Sequence, residues 1–309
     1  MKDKVERIAE LPWSVRPNGL FLAGIQMAGM AFNPSGDRLA TACSDRIARI
    51  WDPGTGTLLK TFEGHSDYVS SVIFDPRGER LITGSYDHSA KIWDATSTRG
   101  LHTLAGHQGA VMSVASIGDS EILATASIDG TVKLWNAKDG TFIKTLTGHR
   151  SWVNALAASP DGKYLASGSS DGTVRLWRMP SGELDRTLPA SKAEVRSVAW
   201  SPDGQVLASG IRFGAIKMWS VSNWTVKHEV TGRAGDVWAV AFSSERELLS
   251  SEGEWNRSGH VQSWHVADGT TLGQRRHTGE ILSLAVSPRA AFLAAGGWDH
   301  TVTLWRLPK

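Results

Sequence analysis

Ser159-Pro-Asp-Gly-Lys-Tyr-Leu-Ala-Ser-Gly-Ser-Ser-Asp-Gly-Thr-Val-Arg-Leu-Trp177 is the stretch of this sequence that decides its fold. Residues 164–169 and 173–177 are short runs rich in apolar and β-branched residues, which predict two β-strands. Asp171-Gly172 between them predicts a tight hairpin turn, because glycine accepts positive φ. With a strand-like run on either side (152–158 and 183–188), the stretch predicts a unit of four antiparallel strands.

The same unit recurs along the whole chain, and a tryptophan ends the third strand of each copy. These tryptophans are Trp51, Trp93, Trp135, Trp177, Trp219, Trp264 and Trp305, at intervals of 42, 42, 42, 42, 45 and 41 residues. A period of this size indicates stacked copies of one supersecondary unit. Four antiparallel strands per copy are typical of one propeller blade. The sequence therefore predicts an all-β fold, a seven-bladed β-propeller that forms a single domain over residues 1–309.

The last repeat lacks a strand, since the chain ends four residues after Trp305. Residues 1–14 precede the first repeat and contain the strand-like Val5 and Ile8. We expect a strand at about 4–11 to pair with the last blade as its outer strand. This pairing would close the ring and cover an edge that otherwise invites aggregation.

Composition limits the classes of function. The net charge of +2 in 309 residues provides no basic field, so we do not expect nucleic-acid binding. Cys43 is the single cysteine, which fits a reducing compartment. No signal peptide and no membrane-spanning apolar run is found. These features favour a cytoplasmic protein that does not contact membranes. A monomer is expected because closed propellers are often monomeric, although an exposed aromatic patch could also pair two copies.

The pattern Gly-His, Ser-x-Asp and Trp resembles that of the WD-repeat family. Gly-His recurs at 64–65, 106–107 and 148–149, and the Trp-Asp pair stands at 51–52 and 93–94. The resemblance covers nearly the whole chain and implies a scaffold for protein interactions. It also implies a buried network in which Asp holds His, His bonds Ser, and Ser accepts from the indole. The residues so assigned are His65, Ser85, Asp87, Trp93, His107, Ser127, Asp129, Trp135, His149, Ser169, Asp171 and Trp177.

A Ser-His-Asp set also suggests nucleophilic catalysis. Its occurrence in three successive repeats argues for a structural role, because a catalytic site is usually built once per chain. No other catalytic, phosphate-binding or metal-binding motif is found, and no cofactor is expected. Cys43 stands at the serine position and is predicted to be a small core residue rather than a reactive thiol.

The resemblance places the turns between the second and third strands, and the loops into the first strand, on the narrower face around the channel mouth. Two groups of residues are predicted to bind a partner there. The aromatic-apolar sector consists of Tyr68, Tyr86, Ile128 and Trp152. The basic-aromatic sector consists of Arg212, Phe213, Arg233, Trp255, Arg257, Arg276 and Trp298. Exposed Trp, Tyr and Arg are common binding hot spots, and the arginines favour an acidic or phosphorylated segment.

Other interpretations remain open at this point. The aromatics could instead pack between blades, and the arginines could be a solvated surface. Glu194, Asp236 and Glu280 occupy equivalent positions in successive repeats, so they could bind a cation or form a hydrolytic site at the channel mouth. The chain could also be an interaction or sensor domain cut from a larger regulatory protein.

Overall fold

The computed structural model describes residues 7–12, 27–232, 235–253, 259–277, 279–288, 291–297 and 301–307. These residues contain 28 strands in seven four-stranded antiparallel sheets. The prediction of an all-β, seven-bladed propeller is confirmed. Within the described part of the chain, no α-helix has the length and apolar character that a membrane crossing requires.

The strands follow one another blade by blade. Blade 1 consists of β2 (Met27–Phe32), β3 (Leu39–Cys43), β4 (Ala48–Trp51) and β5 (Leu58–Phe62). Blade 2 consists of β6 (Val69–Phe74), β7 (Arg80–Ser85), β8 (Ser89–Asp94) and β9 (Gly100–Ala105). Blade 3 consists of β10 (Val111–Ser116), β11 (Ile122–Ser127), β12 (Val132–Asn136) and β13 (Phe142–Leu146). Blade 4 consists of β14 (Val153–Ala158), β15 (Tyr164–Ser169), β16 (Thr173–Arg178) and β17 (Glu183–Pro189).

The remaining three blades have the same order. Blade 5 consists of β18 (Val195–Trp200), β19 (Val206–Ile211), β20 (Ala215–Ser220) and β21 (Thr225–Thr231). Blade 6 consists of β22 (Asp236–Phe242), β23 (Glu247–Gly253), β24 (His260–His265) and β25 (Thr271–Arg276). Blade 7 consists of β26 (Ile281–Val286), β27 (Phe292–Gly297), β28 (Thr301–Arg306) and β1 (Arg7–Pro12).

The N-terminal strand closes the ring, as predicted. β1 pairs antiparallel with β28, from Arg7 opposite Trp305 to Pro12 opposite Thr301. The sheet order of blade 7 is therefore β1-β28-β27-β26. The first strands of neighbouring blades contact one another all the way round, including β2 with β26.

Burial is greatest in the middle strands of each blade. All five residues of β3 and all six of β19 are buried, whereas four of the five residues of β5 are exposed. The middle strands are buried on both faces because each blade is packed between two others. One apolar cluster, for example, joins Leu134 of blade 3 to Val153, Leu165 and Trp177 of blade 4. Interlocking clusters of this kind, rather than one central core, hold the ring together.

A β-bulge interrupts the first strand of each blade near its start. In blade 3 the register passes from Val111 to Ser113, so Met112 is left unpaired. The residues at this position in blades 2 to 7 are Ser70, Met112, Asn154, Arg196, Trp238 and Leu282. A bulge redirects a side chain out of the ladder, here toward the central channel.

Candidate binding site at the channel mouth

A chain of four hydrogen-bonded side chains crosses the inside of blade 2. The Nδ1 atom of His65 lies 2.7 Å from an oxygen of Asp87, and its Nε2 atom lies 2.7 Å from Oγ1 of Thr83. The indole nitrogen of Trp93 donates to the same Oγ1 at 2.9 Å. The carboxylate fixes the tautomer, so Nδ1 donates to Asp87 and Nε2 accepts from Thr83. Every polar group of this buried chain is satisfied.

Blades 3 and 4 repeat the chain. In blade 3 His107 joins Asp129 (2.7 Å) to Thr125 (2.8 Å), which accepts from Trp135 at 2.9 Å. In blade 4 His149 joins Asp171 (2.9 Å) to Ser167 (2.7 Å), which accepts from Trp177 at 2.9 Å.

The assignment of Ser85, Ser127 and Ser169 as the network hydroxyl is wrong. The hydroxyl comes from the residue two positions earlier, which lies on the same face of the strand and deeper in the blade. Ser85 is the last residue of β7, where its Oγ donates to the carbonyl of Asp67 at 3.0 Å and accepts from the amide of Asp87 at 3.1 Å. Ser127 and Ser169 make the equivalent bonds. These serines therefore hold the turn beside the network.

The side chains of the three predicted Ser-His-Asp sets are not arranged for nucleophilic catalysis. The His65 side chain is 1% exposed and Thr83 is fully buried, so substrate has no access to the hydroxyl that His65 contacts. Cys43 is also buried, and burial raises the pKa of its thiol above the usual range. A protonated, inaccessible thiol is a poor nucleophile. The buried position therefore agrees with the predicted role of Cys43 as a core residue.

Acid is expected to destabilise these blades. Burial lowers the pKa of His65, His107 and His149 despite the hydrogen bonds to their aspartates. Below about pH 6.5 the unfolded chain therefore binds protons that the folded histidines do not, so the free energy of unfolding falls as the pH drops. Melting curves of wild type and His149→Gln at pH 7.5 and 5.0 measure this effect. The loss of melting temperature at pH 5.0 should be smaller in the variant, and an equal loss would contradict the expectation.

The aspartates act in a lower pH window. Burial alone would raise the pKa of Asp87 and Asp129. For Asp87, hydrogen bonds from Ser89 and His65 outweigh burial and lower the pKa to about 2. For Asp129, hydrogen bonds from Thr131 and Gln108 do the same. Their stabilising contribution is complete above about pH 4 and is lost as the pH falls toward 2.

The other blades keep part of this network. Thr41, Ser209 and Ser250 accept the indole hydrogen of their blade at 2.9, 3.4 and 2.8 Å. In blade 6 Ser250 also donates to the buried carboxylate of Glu252 at 3.1 Å. In blade 7 glycine replaces serine at position 297 for a steric reason, because a Cβ there would lie 1.7 Å from the Glu280 carbonyl oxygen.

A cavity of about 350 Å³ opens at the end of the ring where the loops into the first strands meet the turns between second and third strands. We call this end the mouth face; it is the face that the family resemblance describes as the narrow one. The residues that line the cavity are Ser44, Tyr68, Val69, Ser70, Tyr86, Met112, Trp152, Asn154, Glu194, Arg196, Trp238 and Leu282. Six of them are the bulge residues of blades 2 to 7.

Three residues of the predicted aromatic-apolar sector meet at this cavity. Tyr68, Tyr86 and Trp152 are 44%, 37% and 55% exposed, which is high for large aromatic side chains. The two tyrosine rings are 5.8 Å apart, and the amide of Tyr86 donates to the carbonyl of Tyr68 at 2.8 Å. Ile128 is half-buried and does not line the cavity. The three aromatics thus form a partly exposed rim on one side of the cavity.

The opposite wall is built around Arg196. Its guanidinium lies 3.7 Å from the ring centre of Trp238, and its Nη2 lies 3.1 Å from Asp236 and 3.5 Å from Glu194. The Trp238 indole donates to Glu280 at 2.8 Å. Burial raises the pKa of Glu280 above its usual value, against the opposing effect of that hydrogen bond.

Arg212 of the basic-aromatic sector lies beside two carboxylates. Its Nη1 lies 3.2 Å from Glu194 and its Nε lies 3.8 Å from Asp236, so its charge is already balanced. Arg276 is exposed at the end of β25 and does not line the cavity. Arg233, Trp255, Arg257 and Trp298 lie outside the described residues.

Phe213 is the most exposed large apolar side chain of the described chain, at 71%. It stands at the turn position that aspartate occupies in blades 1 to 4, and its φ is +68°. A side chain in this left-handed region costs about 1 kcal/mol or more. The bond from its amide to Asp236 (3.0 Å) and the Arg212 guanidinium 4.9 Å from its ring hold it there.

The three acids considered as a cation site are used otherwise. Glu194 and Asp236 pair with Arg196 and Arg212, and Glu280 accepts from Trp238. Among the described residues, no group of three or more His, Cys, Asp or Glu side chains is placed to hold a metal ion.

Sequence reasoning missed the bulge residues, of which Asn154, Arg196 and Trp238 are the most polar or bulky. A signal for them exists. In each repeat they follow a Val or Ile that is nearly constant, yet they themselves change from Ser to Met, Asn, Arg, Trp and Leu. Such variation inside a regular strand marks a position that packing does not fix.

The comparisons with known proteins agree with this architecture. Residues 94–309, more than half of the chain, match the family described as "IFT122 first beta-propeller". Residues 26–52 and 56–94 match the family described as "WD domain, G-beta repeat". No curated protein matches the chain.

Proposed function

Because this chain belongs to the WD-repeat β-propeller family, with its larger part in the IFT122 first beta-propeller family, we propose that it is a non-catalytic scaffold that binds a partner protein or peptide across the mouth face. The observation that carries the proposal is the aromatic rim. Tyr68, Tyr86 and Trp152 line one side of the cavity and keep 44%, 37% and 55% of their surface exposed.

Such exposure is unusual for a structural role. The tryptophans that pack between blades are nearly buried, with Trp93 at 4% and Trp177 at 2%. Large aromatic side chains that are half exposed beside a cavity can be buried by a partner, and binding hot spots are often of this kind. Phe213 extends the surface, and the strain of its backbone fits a side chain held out for contact rather than for packing.

The charges beside the rim argue against a partner that relies on acidic or phosphorylated groups. Arg196 and Arg212 are paired with Glu194 and Asp236, so an incoming anion would have to displace a carboxylate from them. We therefore propose an apolar and aromatic contact as the main source of affinity. We further propose that the protein acts as a monomer in the cytoplasm, without nucleic acid, membrane or cofactor.

Capture from the cytoplasmic fraction of the source cell tests the proposal. We expect a partner on the intact chain that is reduced at least tenfold on the Tyr68→Ala, Trp152→Ala double variant, since each hot-spot truncation costs on the order of 2 kcal/mol. Light scattering of the baits should give the monomer mass of 33.4 kDa.

The control removes two exposed apolar side chains elsewhere on the surface. Leu184 and Leu272 are exposed on the outer strands β17 and β25, at 45% and 55%. The Leu184→Ala, Leu272→Ala variant should keep the partner. Equal loss in both double variants, or equal retention, would exclude the mouth face as the binding surface.

A further inference from the structure

A second cavity lies on the outer edge of blade 2. It is a notch of about 350 Å³ between the start of β9 and the start of the loop that leads from blade 1 into blade 2. Trp93 forms its floor, and Glu63, Gly64, Lys91, Gly100 and Thr103 form its sides. The notch shares no lining residue with the cavity at the channel mouth, so it is a separate site.

The notch is open because residue 100 is a glycine, although the backbone does not require one there. The φ of Gly100 is outside the left-handed region, and a Cβ would make ordinary van der Waals contact with Trp93, at 3.7 Å. The β-bulge that follows Gly100 does not require glycine either, because four other outer strands have the same bulge after Leu58, Phe142, Leu184 and Val226. Glycine in a strand often marks a place that a ligand approaches closely.

Blade 3 shows what occupies this place when the strand supplies a side chain. Phe142, the counterpart of Gly100, holds its ring 5.5 Å from that of Trp135 in an edge-to-face contact. The ammonium of Lys133 lies 5.3 Å from the centre of the Phe142 ring and donates to Thr145 Oγ1 at 2.9 Å. Phe142 keeps 53% of its surface exposed, so a ring in this place can be reached from solvent.

Blade 2 has both partners of that ring but not the ring itself. Trp93 lies under the notch, and the Lys91 ammonium beside it donates to Thr103 Oγ1 at 3.0 Å, as its counterpart does in blade 3. Gly100 places no side chain between them. An aromatic ring in the notch would gain an edge-to-face contact with the indole and a cation–π contact with the ammonium. An aliphatic side chain would gain neither.

We propose that the notch binds an aromatic side chain, of the size of phenylalanine, from a partner polypeptide. The ring would take the place that Phe142 has in blade 3. The main chain of the partner could lie beside it, because β9 is the outermost strand of blade 2 and no described strand pairs with its other edge. This inference goes beyond the proposed function and does not depend on it, since the mouth face is not involved.

Small probes test the inference on the full chain. They are the N-acetyl methylamides of phenylalanine, leucine and alanine, and benzyl alcohol, which has the ring without the peptide groups. Each is titrated into protein labelled with ¹³C at tryptophan, and the Cε3–H and Cζ3–H signals of Trp93 and Trp135 are followed. Single Trp→Phe variants assign these signals. The phenylalanine amide should bind with a dissociation constant on the order of 1–10 mM.

We expect the phenylalanine amide to shift the Trp93 signals saturably, and the other three probes to bind at least threefold more weakly. The Trp135 signals should not shift, because Phe142 already covers that ring. Gly100→Phe supplies the ring from the protein itself and should weaken binding of the phenylalanine amide at least tenfold. Thr271→Phe, at the equivalent exposed position of blade 6, is the matched control and should leave binding unchanged.

Phe142→Gly is the reciprocal test and remains decisive if Gly100→Phe does not fold. It should open the same place beside Trp135, so the phenylalanine amide should then shift the Trp135 signals as well as those of Trp93. The two dissociation constants should agree within about threefold. Melting curves establish which variants are folded.

Any of three results would overturn the inference: no saturable shift of the Trp93 signals, binding of another probe as tight as that of the phenylalanine amide, or undiminished binding to folded Gly100→Phe. A folded Phe142→Gly chain without a shift at Trp135 would overturn it too. None of these results affects the capture experiment on the mouth face, which depends on Tyr68 and Trp152. Conversely, failure of that experiment would leave the notch in place.

Discussion

Gly172→Ala is expected to lower the free energy of unfolding by about 3 kcal/mol or more, the largest effect of a single methyl group that we predict for this chain. Gly172 ends the β15–β16 turn with a φ of +80°. A Cβ there would lie 2.2 Å from the carbonyl oxygen of Ser191. That oxygen belongs to the backbone leading into blade 5, so the clash cannot be relieved by a side-chain rotation.

Gly130→Ala provides the matched control. Gly130 occupies the same turn position in blade 3 with nearly the same φ, +81°, but a Cβ there would lie 3.5 Å from the nearest backbone atom. Only the left-handed backbone then opposes alanine, at about 1 kcal/mol. Arg46 and His88 already tolerate this conformation in blades 1 and 2. Urea unfolding of both variants measures the difference, and equal losses would show that the clash with blade 5 is relieved at little cost.

The architecture could be predicted from the tryptophan spacing alone because the repeat supplies the same evidence seven times. A single blade has ambiguous strands, but an error in one copy is corrected by its neighbours at the same offset. The N-terminal strand lies outside the repeat, yet the missing fourth strand after Trp305 indicated its role. The structure places it at Arg7–Pro12.

The site could be predicted only in part, for a physical reason that differs from residue to residue. Tyr68, Tyr86 and Trp152 stand in loops and turns that the family resemblance placed on the mouth face. A large aromatic is unexpected there, so position and residue type together marked them. Arg196 and Trp238 stand inside strands whose alternation assigns them no special direction. Only the bulge turns them toward the channel, and no residue type encodes a bulge.

Charge was the least predictable property of the site. Arg212 indicated a basic surface as long as its neighbours were unknown. Its partners Glu194 and Asp236 are 18 residues before and 24 residues after it, at the start of blade 5 and of blade 6, and the folding and packing of these consecutive blades bring them together. The sequence pattern places residues on blades, but the balance of charge depends on contacts between blades.

The hydroxyl of the buried network provides the second large prediction. Thr83→Val keeps the shape of the side chain but removes the oxygen that His65 and Trp93 both contact at 2.7 and 2.9 Å. Two buried polar groups then lose their partner inside blade 2. We expect a loss of about 2–3 kcal/mol in the free energy of unfolding, measured by urea unfolding at pH 7.5.

Thr103→Val makes the same chemical change on the exposed strand β9, where the hydroxyl accepts only from Lys91 at 3.0 Å. A surface change of this kind should alter the stability by no more than about 0.5 kcal/mol. The comparison separates the loss of the buried oxygen from the general effect of threonine replacement. If Thr83→Val were as mild as Thr103→Val, water or a rearranged His65 would have to satisfy the indole. The hydrogen-bond network would then contribute little to the stability of the blade.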